Sequence, residues 1–313
     1  MDTMRTPCDQ ERQRPAPERP AAAAPPGPRP RRRRPARADR LTARLAARAG
    51  GRRVVVTGAS GAIGRQLAVL LGQAGADLVL LGRDRRALAE TARHAAIGTG
   101  TVRVQVADLT VPADIARFAD RLAEECGGAD ILVNNAGRSI RRGADRAVER
   151  PHDYRRTMAV NYFGAVDLTL RLLPGMRERG HGHIVNVATI GLQLGMGRFT
   201  AYNPSKAALE AFGQSLAPEL RREGIRVSTV HLPLVRTPMS APTTAFARLP
   251  ALDPRQAARM VCTALVTGSP RVSTRLGTLG ELLGVAAPRA RLALAALEYR
   301  CLPESPSARR GAR

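Results

Sequence analysis

Six short apolar runs, each closed by a turn and followed by a stretch with helical spacing, constrain this chain more than any other feature. They are Val54-Val55-Val56, Leu78 to Leu81, Val102 to Val106, Ile131-Leu132-Val133, Ile184 to Val187 and Val227 to Val230. After the first run, Ile63, Leu67, Leu70 and Leu71 recur at the spacing of one helix face. Near-continuous apolar strands alternating with helices require a parallel sheet covered on both sides. The expected fold class is α/β, a single Rossmann-type doubly wound parallel sheet with helices on both faces and extra C-terminal helices. Such sheets bind ligands at the carboxyl ends of their strands.

That pattern occupies residues 51–302, the expected folded domain. Residues 1–40 hold nine prolines, an alanine run and Arg31 to Arg34. Such a segment buries too little apolar surface to offset its ordering entropy. Residues 1–50 are therefore read as a disordered Arg/Pro/Ala-rich arm, with a short helix beginning over Arg40 to Arg48 as it enters the domain. Residues 303–313 read as a flexible tail, and 238–302 as helical additions around one short strand near Arg271 to Thr274.

Of 313 residues, 50 are basic and 26 acidic, for a formal charge of +24. Nucleic-acid binders concentrate positive charge on a patch with aromatic or motif support. Here aromatics make up 3% of the chain, and no zinc-finger, RNP or helix-turn-helix pattern occurs. Composition therefore does not favour a nucleic-acid partner, though the arginine-rich arm leaves peripheral contact with anionic lipid open. No run reaches the ~18 apolar residues of a membrane-spanning helix. The N-terminus lacks the apolar core of a secretory signal. Cys8, Cys126, Cys262 and Cys301 are scattered without a CxxC pair. These features point to a cytoplasmic protein without a metal site.

Two motifs carry chemistry. Thr57-Gly58-Ala59-Ser60-Gly61-Ala62-Ile63-Gly64 sits where a strand turns into a helix. Glycines there let backbone approach a pyrophosphate while the helix N-terminus supplies N–H donors. Tyr202-Asn203-Pro204-Ser205-Lys206 places a tyrosine and a lysine on one helix face. An ammonium beside a phenol favours phenolate, and so is expected to lower a pKa that starts near ~10. Lys206 is the only lysine among the 50 basic residues, all others being arginine. Its position is therefore read as one where a compact ammonium is needed and a guanidinium fails.

Together these residues resemble the short-chain dehydrogenase/reductase family, and the resemblance extends over nearly everything from residue 52 onward. Asn134-Asn135-Ala136-Gly137 follows the fourth run as the family's NNAG does. Asp108 ends the third run where the family contacts the adenine ring, and Asn161 matches the helix asparagine that supports a proton-relay water. The strings NNAGRSIRR, NYFGAV, HLPLVRTPMSAPT and STRLG look like the C-terminal reductase domain of bacterial fatty acyl-CoA reductases and related actinobacterial lipid-acting reductases.

The resemblance implies reduction of a ketone or aldehyde on a long-chain acyl or other lipid-like substrate, in a homo-oligomer. Tyr202 is the implied general acid, with Lys206, Thr189 and Asn161 as its catalytic partners. Thr189 stands where the family has serine, and Ala62 where it usually has a glycine. Both departures leave room for a catalytically weak or inactive relative that acts as a dinucleotide-binding or scaffold protein. Cofactor contacts are implied at Thr57, Gly58, Ser60, Gly61, Ile63, Gly64, Asp108, Asn135, Ala136 and Gly137. Tyr202, Lys206, Pro233, Val235 and Thr237 complete the set. At the end of the second run Arg83 offers a guanidinium for a 2′-phosphate, with Asp84 free to cap the next helix, so NADPH is favoured over NADH. The apolar residues Leu276, Leu279, Leu282, Leu283, Val285, Leu292, Leu294 and Leu297 are candidates to wall a lipid slot, ordinary helix packing being the alternative.

Overall fold

Along each central strand, successive side chains enter two different cores. The computed structural model describes residues 37–302. Its strands are β1 Arg53–Thr57, β2 Asp77–Gly82, β3 Val102–Val106, β4 Ile131–Asn134, β5 Gly182–Thr189, β6 Ile225–Leu232 and β7 Arg271–Val272. All pair in parallel in the order β3-β2-β1-β4-β5-β6-β7. The helices are α1 Arg37–Ala49, α2 Ala62–Gln73, α3 Arg85–Ala95, α4 Pro112–Cys126, α5 Ala144–Ala147 and α6 Pro151–Met158. After them come α7 Gly164–Glu178, α8 Gly191–Leu194, α9 Tyr202–Leu220, α10 Pro254–Thr267, α11 Arg275–Ala286 and α12 Pro288–Cys301.

Val54 and Val56 join Leu78 and Leu80 against α1, α2, α3 and α10, while Val55, Val79 and Leu81 join α4, α7 and α9 on the other face. This two-sided burial is why the runs are apolar at consecutive positions rather than at every second one. The strand order reverses between β1 and β4, which opens a crevice at their carboxyl ends.

The folded unit starts earlier than expected. Residues 37–49, read from sequence as part of the arm, form α1, whose Leu45 and Ala49 are buried in the core beside α2 and α10. An apolar stripe of Leu41, Leu45 and Ala49 at four-residue spacing outweighs the arginine-rich composition around it. Residues 1–36 and the tail at 303–313 lie outside the described residues. No helix among the described residues is long and apolar enough to cross a membrane.

His183 on β5 is a buried titratable group in this core. Its Nε2 lies 2.9 Å from Ser228 Oγ, and that hydroxyl gives its one hydrogen to Ser269 O. The imidazole must therefore donate from Nε2. Burial pushes its pKa down to about 4, with Arg226 adding to the effect. The unfolded chain takes up this proton near its ordinary value of 6.5, and the folded chain does so only near 4. Stability should thus fall as pH drops from about 6.5 to about 4, by up to about 3 kcal/mol from this residue. Urea unfolding across that range checks it; His183→Gln should flatten the acid limb.

Candidate active site

The crevice is built by a close approach between the turn after β1 and the segment after β4. Gly58 has φ of +62°, and a Cβ there would stand 2.8 Å from Ala136 Cα. Only glycine meets both conditions. A side chain at Gly64 would collide with the Gly58 carbonyl oxygen, whereas at Gly61 the nearest atom is 3.2 Å away. The strict glycine requirement therefore falls on Gly58 and Gly64. Ala62 simply starts α2, where Gly61 caps without a side-chain hydrogen bond, so the first N–H groups remain without a side-chain acceptor.

Thr57 and Asn135 hold this turn in place. The Thr57 hydroxyl donates to Val133 O at 3.1 Å and accepts from the Asn135 and Ala136 N–H groups at 2.9 Å each. Asn135 Nδ2 donates to Thr57 O at 2.9 Å and to Gly58 O at 3.3 Å. Thr57 is 1% exposed, so its side chain fastens two segments together and does not reach outward. Ser60 lies close to the end of β2, its Oγ 3.4 Å from the Cβ position of Gly82. Next along, Arg83 is exposed and its guanidinium stands 3.7 Å from the Asp108 carboxylate. Burial raises the Asp108 pKa, but the Thr110 N–H and hydroxyl, together with Arg83, outweigh it and hold the group below its ordinary value. Asp84 accepts from Ala87 N at 3.0 Å and caps α3.

The catalytic candidates converge on a cavity of about 750 Å³. Thr189 at the end of β5 and Tyr202 at the start of α9 both line it. Thr189 Oγ1 accepts from Gly191 N at 3.1 Å. One helical turn beyond Tyr202, Lys206 also lines the cavity and is 3% exposed. A side chain at Gly137 would press on Lys206 Nζ at 3.3 Å and on Asn161 Oδ1 at 3.2 Å. Ile63 and Asn135 form one end of the lining, and Pro233, Val235 and Thr237 after β6 form another wall. The remaining lining is mostly apolar, including Leu194, Met196, Phe199, Leu234, Phe246 and Leu276.

Burial sets the titration here. It pushes the Tyr202 hydroxyl up to about 12, with the nearby Thr189 hydroxyl pulling the other way, and lowers Lys206 to about 8. This corrects the expectation that the ammonium drives the phenol down: desolvation of the phenolate is the larger effect.

Asn161 sits in a π-helical turn, Ala159–Phe163, between α6 and α7. Its side chain is buried; Oδ1 accepts from Arg138 N at 2.8 Å, and Nδ2 donates to Arg138 O at 2.9 Å and Ser205 Oγ at 2.8 Å. Both amide hydrogens are thus committed to bracing the β4 loop against α9. Ser205 completes the brace by donating to Tyr202 O at 2.7 Å.

Ser205 was not singled out from sequence, although it lies inside the tyrosine–lysine motif. Asn203 was also missed; it reaches the Gly191 and Met196 carbonyls and ties α8 to α9. Of the eight apolar C-terminal residues considered for a lipid slot, only Leu276 lines the cavity. Leu279, Leu282, Val285, Leu292, Leu294 and Leu297 are exposed instead. Among the described residues, no group of three or more His, Cys, Asp or Glu side chains converges to hold a metal ion.

Comparison with known proteins agrees with this geometry. The model of the short chain dehydrogenase family matches residues 52–247. An uncharacterised oxidoreductase of Mycobacterium tuberculosis is 43% identical over 76% of this chain and 71% of its own length. A fatty acyl-CoA reductase of Acinetobacter baylyi is 38% identical over 82% of this chain and 88% of its own. Among solved structures, a short chain dehydrogenase of Burkholderia cenocepacia in complex with NADP superposes with a TM-score of 0.67 at 25% identity. That match covers 79% of this chain and 98% of the other. With its parallel sheet, glycine turn and cavity-lining tyrosine and lysine, this chain belongs to the short-chain dehydrogenase/reductase family and is an oxidoreductase.

Proposed function

We propose that the protein is an NADPH-dependent reductase of a ketone or aldehyde carried on a long acyl chain. One observation carries this reading: a tyrosine and a threonine line the same apolar cavity, with a buried lysine one helical turn from the tyrosine.

A dinucleotide fits the crevice. Gly58 and Gly64 keep backbone where a Cβ would intrude, and the N-terminus of α2 offers N–H groups without a side-chain cap. Gly61, Ile63, Asn135, Ala136 and Gly137 would continue that contact toward the cavity, with Pro233, Val235 and Thr237 opposite. Ser60 and Arg83 stand where a 2′-phosphate would lie, and Asp108 where an adenine would. With Asp84 occupied as a helix cap, Arg83 favours the phosphorylated cofactor. When bound, the dinucleotide supplies a hydride for the carbonyl carbon.

The chain's own residues handle the oxygen. Tyr202 begins protonated at neutral pH because burial holds its pKa near 12, which is the state a proton donor needs. It gives that proton to the carbonyl oxygen as negative charge develops there. Thr189 donates a hydrogen bond to the same oxygen, so threonine meets the need that serine fills elsewhere in the family. That hydroxyl contact weighs against the reading of an inactive relative. Lys206 places positive charge behind the phenol and favours its deprotonated form as the proton leaves. Asn161 holds Arg138 and Ser205, and through them fixes Lys206 relative to Tyr202; a water that refills the tyrosine proton would bond the free lone pair of its Oδ1.

The acyl substrate is supported by the cavity and by the relatives. Its volume falls within the roughly 300–1,000 Å³ of small-molecule sites. Phe199 and Phe246 stack with centroids 6.3 Å apart in its wall. One relative is named a fatty acyl-CoA reductase.

The direct test follows NADPH and NADH oxidation with fatty aldehydes and 3-oxoacyl thioesters of graded length. Tyr202→Phe should abolish turnover while nearly preserving cofactor binding; full turnover in that variant overturns the mechanism. Lys206→Arg should slow the reaction by at least about tenfold, ~1.4 kcal/mol of barrier. The wild-type rate should also fall as pH rises through about 8, where Lys206 loses its proton, and the arginine variant should lack that limb. Arg83→Ala should raise KM for NADPH by about tenfold and leave KM for NADH nearly unchanged, as loss of one charge-assisted contact requires.

A further inference from the structure

The last two helices of the described chain turn most of their large apolar side chains outward. In α11 the small residues Gly277 and Gly280 are buried against Gln193 and Leu194 of α8, while Leu279, Leu282 and Val285 point away. In α12 no residue is buried, and Leu292, Leu294 and Leu297 are between 56% and 71% exposed. That helix is held by polar contacts at its end. Arg141 donates to Leu302 O, and Arg198 donates to Tyr299 O at 2.6 Å with its guanidinium over the Tyr299 ring. Glu298 accepts from Gly197 N at 3.3 Å. Large apolar side chains that the fold itself turns outward, clustered on an anchored helix pair, mark an interaction surface.

Its position and charge select the partner. Leu276 at the start of α11 is exposed and also lines the cavity, so the apolar side chains of this helix meet the site. The two acids of the pair are both engaged: Glu281 with Arg271 at 2.6 Å and with Gln193, and Glu298 with Gly197. Arg275, Arg289 and Arg300 are exposed on the same two helices. A second copy of the chain would bring the same arginines into contact with these. An anionic lipid surface would accept both the leucines and the guanidinium groups. At about 18 and 21 Å long, the helices are too short to span a bilayer and suit the plane of its interface.

We propose that the α11–α12 pair seats the cavity mouth on an anionic lipid surface. The use of such a contact, loading an acyl substrate from the bilayer, rests on the function proposed above; the contact itself does not. The test uses the full chain in flotation with vesicles of phosphatidylcholine alone or mixed with phosphatidylglycerol. Binding should require phosphatidylglycerol and weaken with salt. The double variant Leu282→Glu, Leu297→Glu should bind the anionic vesicles at least about tenfold more weakly and reduce a short water-soluble aldehyde at the wild-type rate. Because that variant keeps the arginine-rich N-terminus, undiminished binding would assign lipid contact to that segment and overturn the proposal. So would a wild-type chain that ignores both vesicles, or a concentration-dependent dimer that the same substitutions dissolve in a chain that binds neither vesicle. If vesicles bind as expected but no carbonyl is reduced, the proposed reaction fails and the lipid surface stands.

Discussion

The site depends first on one backbone contact, the approach of Gly58 to Ala136 across the point where the strand order reverses. A methyl group at Gly58 would separate the β1 turn from the β4 segment, and the crevice between them would no longer have its floor. Two side chains make that contact permanent: Thr57, whose hydroxyl bonds three backbone groups of the β4 segment, and Asn135, whose amide returns to the turn. From this knot Gly137 leads directly to Asn161 and Lys206. The lysine's location, after β5, is therefore set by a chain of contacts that begins at β1, four strands away in sequence and two strands away in the sheet.

Much of this was legible in the sequence because it is written in local chemistry. Short runs of Val, Leu and Ile at consecutive positions, bounded by turns and alternating with helical stretches, mark strands buried on both faces, and a glycine turn between strand and helix has few other uses. Tyr202 and Lys206 are one helical turn apart wherever they occur in a helix. What escaped depended on distance through space. The packing of α1 was hidden by its arginines, because three well-spaced apolar residues sufficed to bury one edge of it. Ser205 and Asn203 look like filler between two functional residues until their partners at Asn161, Gly191 and Met196 come into view. The direction of the Tyr202 shift was misjudged because adjacency to a lysine is visible in a motif, whereas desolvation belongs to the assembled cavity.

The leucines of α11 and α12 show a different limit. Periodicity identifies a stripe but not the side on which it will be covered. Here Gly277 and Gly280, which a reader of sequence takes for flexibility, occupy the inward face of α11 and set which side of that helix is covered. Charge follows the same logic. A net +24 describes the chain, yet the local fact with consequence is that the pair's two glutamates are both engaged and its exposed arginines lie on the same two helices as the exposed leucines.

The anchoring of α12 has a thermodynamic consequence. Gly197 and Arg198 hold its last turn, and Arg198 does so from a left-handed backbone conformation, φ 60°, that non-glycine residues adopt rarely. The same short loop runs directly into Tyr202. Displacement of α12 is thus transmitted to the residue that begins the catalytic helix, and displacement of that residue is transmitted back. Coupling free energy between two sites is reciprocal. To whatever extent an occupant of the cavity steadies the loop, it must by the same factor alter the affinity of the distal helix for its own partner.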